Sequence, residues 1–159
     1  MIRLVSVCIG MVALGGGSAA VFAQPAVPDQ CKDVSNVPAD AKIPGPGLAA
    51  KIALATCGAE VRMSALKLTP DDASIQALTA AAQPSLDALS EIIKGADGTY
   101  STMATKLRAD IYSSMAVRMR NSIPPITMDT VGQALADHDK AHTDLEPKLK
   151  PWLDAAQAH

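Results

Sequence analysis

Residues 75–93 read IQALTAAAQPSLDALSEII, and Ile75, Leu78, Ala82, Leu86, Leu89 and Ile93 follow one another at steps of 3, 4, 4, 3 and 4. An α-helix turns about 100° per residue, so this spacing lines all six side chains along one face. A strand would need alternation, and neither alternating nor β-branched runs occur here or elsewhere in the chain. The stretch therefore predicts an amphipathic helix. Pro84 lies inside it, lacks the N–H that a helix interior requires, and is expected to kink or break the helix near Ala81. Upstream, Thr69-Pro70-Asp71-Asp72 reads as the start: a hydroxyl cap, proline in the first turn, and acids facing the helix N-terminus. Gly95 to Gly98 ends the segment.

The same period extends outward in both directions. Leu48, Ile52, Ala55, Ala59 and Met63 predict a helix from about Leu48 to Leu68. Met103, Leu107, Ile111, Met115 and Met119 form one ridge of a helix from about Thr99 to Asn121, stopped by Ile123-Pro124-Pro125. A fourth helix is expected to start after Thr127 and run to about Glu146, where Pro147 forces a bend or opens a short last helix, KLKPWLDAAQ. Four long helices with short connections predict an all-α, up-down-up-down four-helix bundle with a short C-terminal helix.

Residues 1–23 have one charge at Arg3, an apolar run from Leu4 to Leu14 and the small-residue end Val21-Phe22-Ala23. That pattern predicts a secretory signal peptide cut after Ala23, the competing reading being a retained membrane anchor. Residues 24–47 hold five prolines and no sustained period, so they read as an extended arm, leaving 48–159 as one bundle domain. Cys8 would leave with the signal. Cys31 and Cys57 remain and, in an oxidising compartment, are expected to form a disulfide that ties the arm to the first helix. The destination is then periplasmic or secreted, without stable membrane insertion after cleavage.

Without the signal the chain carries 13 basic and 16 acidic residues, a net charge of −3, and no basic run. Nucleic-acid partners are not expected. The 25 alanines after Ala23, with Tyr100, Tyr112 and Trp152 as the aromatics there, predict a thin core on closely packed helices.

The candidate site residues centre on DHDKAH, 137–142. Val131, Leu135, His138, His142, Leu145, Leu149 and Trp152 run at steps of 4, 3, 4, 3, 4 and 3, so the imidazoles of His138 and His142 occupy a seam that favours apolar side chains. Two histidines one turn apart can chelate copper or zinc, with Glu146 or Asp139 beside them and Met63, Met115 or Met119 as thioether donors to Cu(I). The plain reading is a packed, hydrogen-bonded pair and no cofactor at all. Haem is a further alternative, because an exported four-helix outline resembles the soluble periplasmic b-type cytochromes. That family ligates iron with a methionine on the first helix and a histidine near the end of the last; Met63 and His142 lie at other spacings, and no CxxCH is present.

Met103, Met115 and Met119 have two readings as well: core filler, or an adaptable apolar groove for an unknown protein or peptide partner. Ser64-Ala65-Leu66-Lys67 matches SxxK without the companion motifs of that enzyme class, and GxSxG, HExxH, Walker and GxGxxG patterns are absent from residues 24–159. Nothing joins a nucleophile, a base and an orienting group. The expected function is an exported, non-enzymatic helical bundle with a binding or structural role, the alternative being a metal or haem carrier through His138 and His142.

Overall fold

The computed structural model describes residues 28–31, 46–96 and 98–158. The expected signal segment 1–23 and most of the expected arm lie outside the described residues. A 3-10 turn at Asp29–Cys31 precedes four α-helices: α1 Pro46–Ser64, α2 Asp72–Gly95, α3 Gly98–Arg120 and α4 Gln133–Gln157. No strand occurs among the described residues. The chain is all-α, as the periodicity predicts, and none of the described helices is long and apolar enough to cross a membrane. Cys31 and Cys57 are bonded, with Cα atoms 5.8 Å apart.

Helix α2 packs against α1 and α3, α3 also packs against α4, and α1 and α3 meet over a smaller area. One core joins all four helices: Ile52, Ala59 and Met63 of α1, Leu78, Ala82 and Leu89 of α2, Ile111, Met115 and Met119 of α3, and Leu145, Leu149 and Trp152 of α4. The predicted stripe of α2 forms its buried face, with Ile75 and Ile93 partly covered at the two ends.

Three expectations are corrected. Pro84 does not break α2, which runs unbroken from Asp72 to Gly95. The carbonyl that Pro84 leaves without an N–H belongs to exposed Ala80, where water can reach it. Nor is Thr69 the cap of α2: Asp71 is, its carboxylate accepting from the Ser74 amide at 2.8 Å. Thr69 Oγ1 donates to that carboxylate at 2.6 Å, while the Thr69 amide donates to Ser74 Oγ at 3.0 Å. The carboxyl of Asp71 is held below the ordinary range by these bonds, Thr69 first and the Ser74 amide next.

The third correction concerns α4, which continues through Pro147 and Pro151 as one helix to Gln157. Thr143, Pro147 and Pro151 are all exposed and four residues apart, so the carbonyls that lose their partners, Thr143 and Pro147, lie on the solvent side. Leu145, Leu149 and Trp152 keep the other side packed. The helix also starts five residues later than expected. Thr127 and Thr130 close a local turn, with the Thr127 amide donating to Thr130 Oγ1 at 2.9 Å, and Gly132 then takes a φ of 58° that only glycine adopts without strain.

Candidate functional site

An open groove of about 950 Å³ lies between α1 and α3. Ala49, Ile52, Ala53 and Thr56 form its α1 wall, and Tyr100, Met103 and Leu107 its α3 wall. The local cause is size. Alanines at 49 and 53, one turn apart, leave a shallow α1 face, whereas α3 presents long side chains opposite. Glu60, which also lines the groove, is ion-paired with Arg118 of α3, so the two helices are clasped near their C-terminal ends.

The three methionines do not make one groove. Met103 is 44% exposed and lines the cavity, but Met115 and Met119 are fully buried core residues. Steps of four residues advance about 40° around a helix beyond each full turn, so a ridge from 103 to 119 winds through roughly 160°. Its two ends therefore face in different directions, and the partner groove proposed for Met103, Met115 and Met119 is replaced by one to which only Met103 belongs. Ile52, Ala53 and Tyr100 went unnoticed as lining because small and aromatic residues at helical spacing carry no signal of what stands opposite.

The histidine pair is built differently. His138 and His142 have ring centroids 4.7 Å apart with planes at 59°, and His138 Nδ1 lies 3.4 Å from Asp139 Oδ1. The side chain of His138 is 16% exposed. Glu146, the third predicted ligand, is turned to α3: Arg120 Nε and Nη2 each donate to one of its carboxylate oxygens at 2.7 Å. That bidentate bond is the main reason its carboxyl sits below the ordinary range, with His142 contributing charge from nearby. Among the described residues no group of three or more His, Cys, Asp or Glu side chains could hold a metal ion. Met63, Met115 and Met119 are buried in the core.

A third cluster lies between α1 and α2. Arg62 Nε donates to the Ala81 carbonyl at 2.9 Å and Nη2 to Ser85 Oγ at 2.7 Å, beside Pro84. Burial pushes the Arg62 pKa down. Gly58 makes the space: a Cβ there would stand 3.1 Å from Arg62 Nη1. The sequence carried no sign of this contact, whose partners are about twenty residues apart and on different helices.

Comparison with protein-family models, with curated proteins and with solved structures finds no match to this chain.

Proposed function

We propose that the protein is an exported, non-enzymatic helical bundle that binds an apolar segment of a partner protein or peptide in the groove between α1 and α3. The observation that carries this reading is the groove itself: about 950 Å³, walled by Ile52, Ala53, Tyr100, Met103 and Leu107, with Met103 held at the surface. That volume is within the range of ligand-binding clefts, and an amphipathic helix laid between two helices is a recurring mode of recognition. The leader pattern in residues 1–23 and the Cys31–Cys57 bond support a periplasmic or secreted location. The lack of catalytic motifs supports a binding role over an enzymatic one. The parallel course of α1 and α3 that an up-down-up-down arrangement requires is supported by the Glu60–Arg118 pair between their C-terminal turns.

The test is a titration of the purified protein with N-phenyl-1-naphthylamine, an apolar fluorescent probe, followed by competition with a leucine-rich amphipathic peptide. Saturable binding that the peptide displaces, and that Met103→Lys and Ala53→Arg each weaken at least tenfold, is the expected result. Binding that ignores both substitutions, or no binding, defeats the reading.

A second reading, transition-metal carriage, is favoured by the 4.7 Å separation of the His138 and His142 rings. Two imidazoles sharing one tetrahedral ion through bonds of about 2.0 to 2.1 Å would place their ring centres roughly 5 Å apart.

A further inference from the structure

The seam of α4 outruns the helix it packs on. Its lower members, Leu145, Leu149 and Trp152, are buried, whereas Leu135 is 38% exposed. The Arg120–Glu146 pair marks where α3 ends against α4, and α3 is the helix that α4 packs against among those described. From Gln133 to Lys140, roughly 10 Å at 1.5 Å per residue, no apolar side chain of α4 joins the core, whose α4 contacts begin at Ala141. His138 and His142 lie on either side of the point where that packing begins, both partly buried and at a spacing suited to one ion.

A four-coordinate site needs more than this chain offers there. Glu146 is committed to Arg120, and no third His, Cys, Asp or Glu joins the pair among the described residues. The immediate surroundings are acidic, with Asp137, Asp139 and Asp144 against Lys140, which is itself paired with Asp144. Two such faces repel each other unless a cation lies between them. Asp139 Oδ1 lies 3.4 Å from Nδ1 of His138, and a proton carried on that nitrogen would leave the Nε2 lone pair to coordinate.

We propose that the occupant of this face is a second copy of the chain, and that the two copies share one divalent transition-metal ion held by His138 and His142 of each. A twofold axis through the ion makes the arrangement self-complementary, brings four imidazoles together, and sets Leu135 of each copy against the other. The ion offsets the acidic faces, so the dimer forms only with metal. Four neutral nitrogen donors suit zinc or copper(II) and give no advantage to magnesium or calcium. This inference rests on the metal-binding reading and is independent of the groove between α1 and α3.

The experiment uses the chain expressed from Met1, purified with its disulfide intact and stripped with EDTA. Zinc chloride is added at pH 7.5, and mass is followed by sedimentation velocity and bound zinc by elemental analysis. The expected result is a doubling of mass at one zinc per two chains, reversed by EDTA and not reproduced by magnesium. His142→Asn and His138→Asn should abolish both the zinc and the dimer while leaving the helical circular dichroism unchanged, Leu135→Glu should weaken the dimer at least tenfold, and Glu146→Gln should leave the stoichiometry alone. One zinc bound per monomer without a change of mass overturns the shared site and leaves a carrier. No zinc bound overturns both, and a dimer that persists in EDTA overturns the role of the metal. The wild-type stoichiometry decides the matter even if a variant fails to fold.

Discussion

Replacing Arg62 by methionine keeps the alkyl stem against α2 and removes two donors, those to the Ala81 carbonyl and to Ser85 Oγ. Hydrogen bonds from a charged donor contribute about 1.5 to 3 kcal/mol each. Two effects reduce their sum: burial already disfavours the charged guanidinium, and Ser85, 2% exposed, can turn its hydroxyl back to the Ala81 carbonyl. A net cost of about 2 kcal/mol follows. At a urea slope of about 1 to 1.5 kcal/mol/M, the unfolding midpoint should fall by roughly 1.3 to 2 M. Pro84→Ala restores an N–H for the Ala80 carbonyl and should raise stability by about 1 kcal/mol, less than the full proline penalty because Ala80 is solvated. In that background the Ala81 carbonyl is better served within its own helix, so Arg62→Met should cost about 1 kcal/mol less than in the wild type. Urea denaturation of the four proteins closes the cycle. Additivity to within about 0.3 kcal/mol would mean that the guanidinium and the proline do not act on one turn, and the reasoning would be wrong. Gly58→Ala gives an independent check, since its Cβ would meet Arg62 Nη1 at 3.1 Å. It should destabilise the wild type and become neutral or stabilising once Arg62 is methionine.

Breaking the Cys31–Cys57 bond, which closes a separation of 26 residues, should cost roughly 3 to 4 kcal/mol in the chain-entropy model, read as a lower urea midpoint for Cys31→Ala paired with Cys57→Ala. An unchanged midpoint would show that the bond restrains little of the unfolded chain. The carboxyls of Asp71 and Glu146 are both depressed in the folded state, so their contribution is complete above the unfolded carboxylate range and disappears as pH falls through their lower folded values. Denaturation midpoints should accordingly stay level from pH 7 to about 5 and drop below about 4, and Asp71→Asn, which still caps, should flatten part of that drop. Leu149→Ala, at a fully buried contact of α4, should cost about 2 to 5 kcal/mol, whereas Met103→Ala at the groove should fall within about 1 kcal/mol of wild type.

The helices were legible because burial repeats with the helical period. The α2 stripe, the Cys31–Cys57 bond and the lower α4 seam all follow from residue type and spacing. What stayed hidden depends on which way a face points once a second helix is beside it. Met103 and Met119 share a ridge in sequence and yet differ by 44 points of exposure. The prolines misled for a related reason. A proline ends a helix when the carbonyl it abandons is buried, and Pro84, Pro147 and Pro151 all abandon carbonyls of exposed residues, Ala80, Thr143 and Pro147. Burial of the residue four positions back was the missing variable.

That same variable connects the continuity of α4 to the placement of its histidines. Had Pro147 broken the helix, as its sequence context suggests, residues 133–146 would hang from a joint and the pair would have no fixed aim. Because Thr143 and Pro147 face solvent, α4 crosses both prolines, and the docking of Leu145, Leu149 and Trp152 on the core sets the direction of everything before them. Arg120 fixes the junction with a bidentate bond to Glu146, one turn from His142. Breaking that bond in Arg120→Met should loosen the upper part of α4 while leaving its anchored part in place, seen as faster amide exchange at residues 134–144 and unchanged exchange at 149–156. Equal acceleration along the whole helix would mean that α4 is held as one unit by its apolar contacts alone, and that the arginine has no part in aiming the imidazoles.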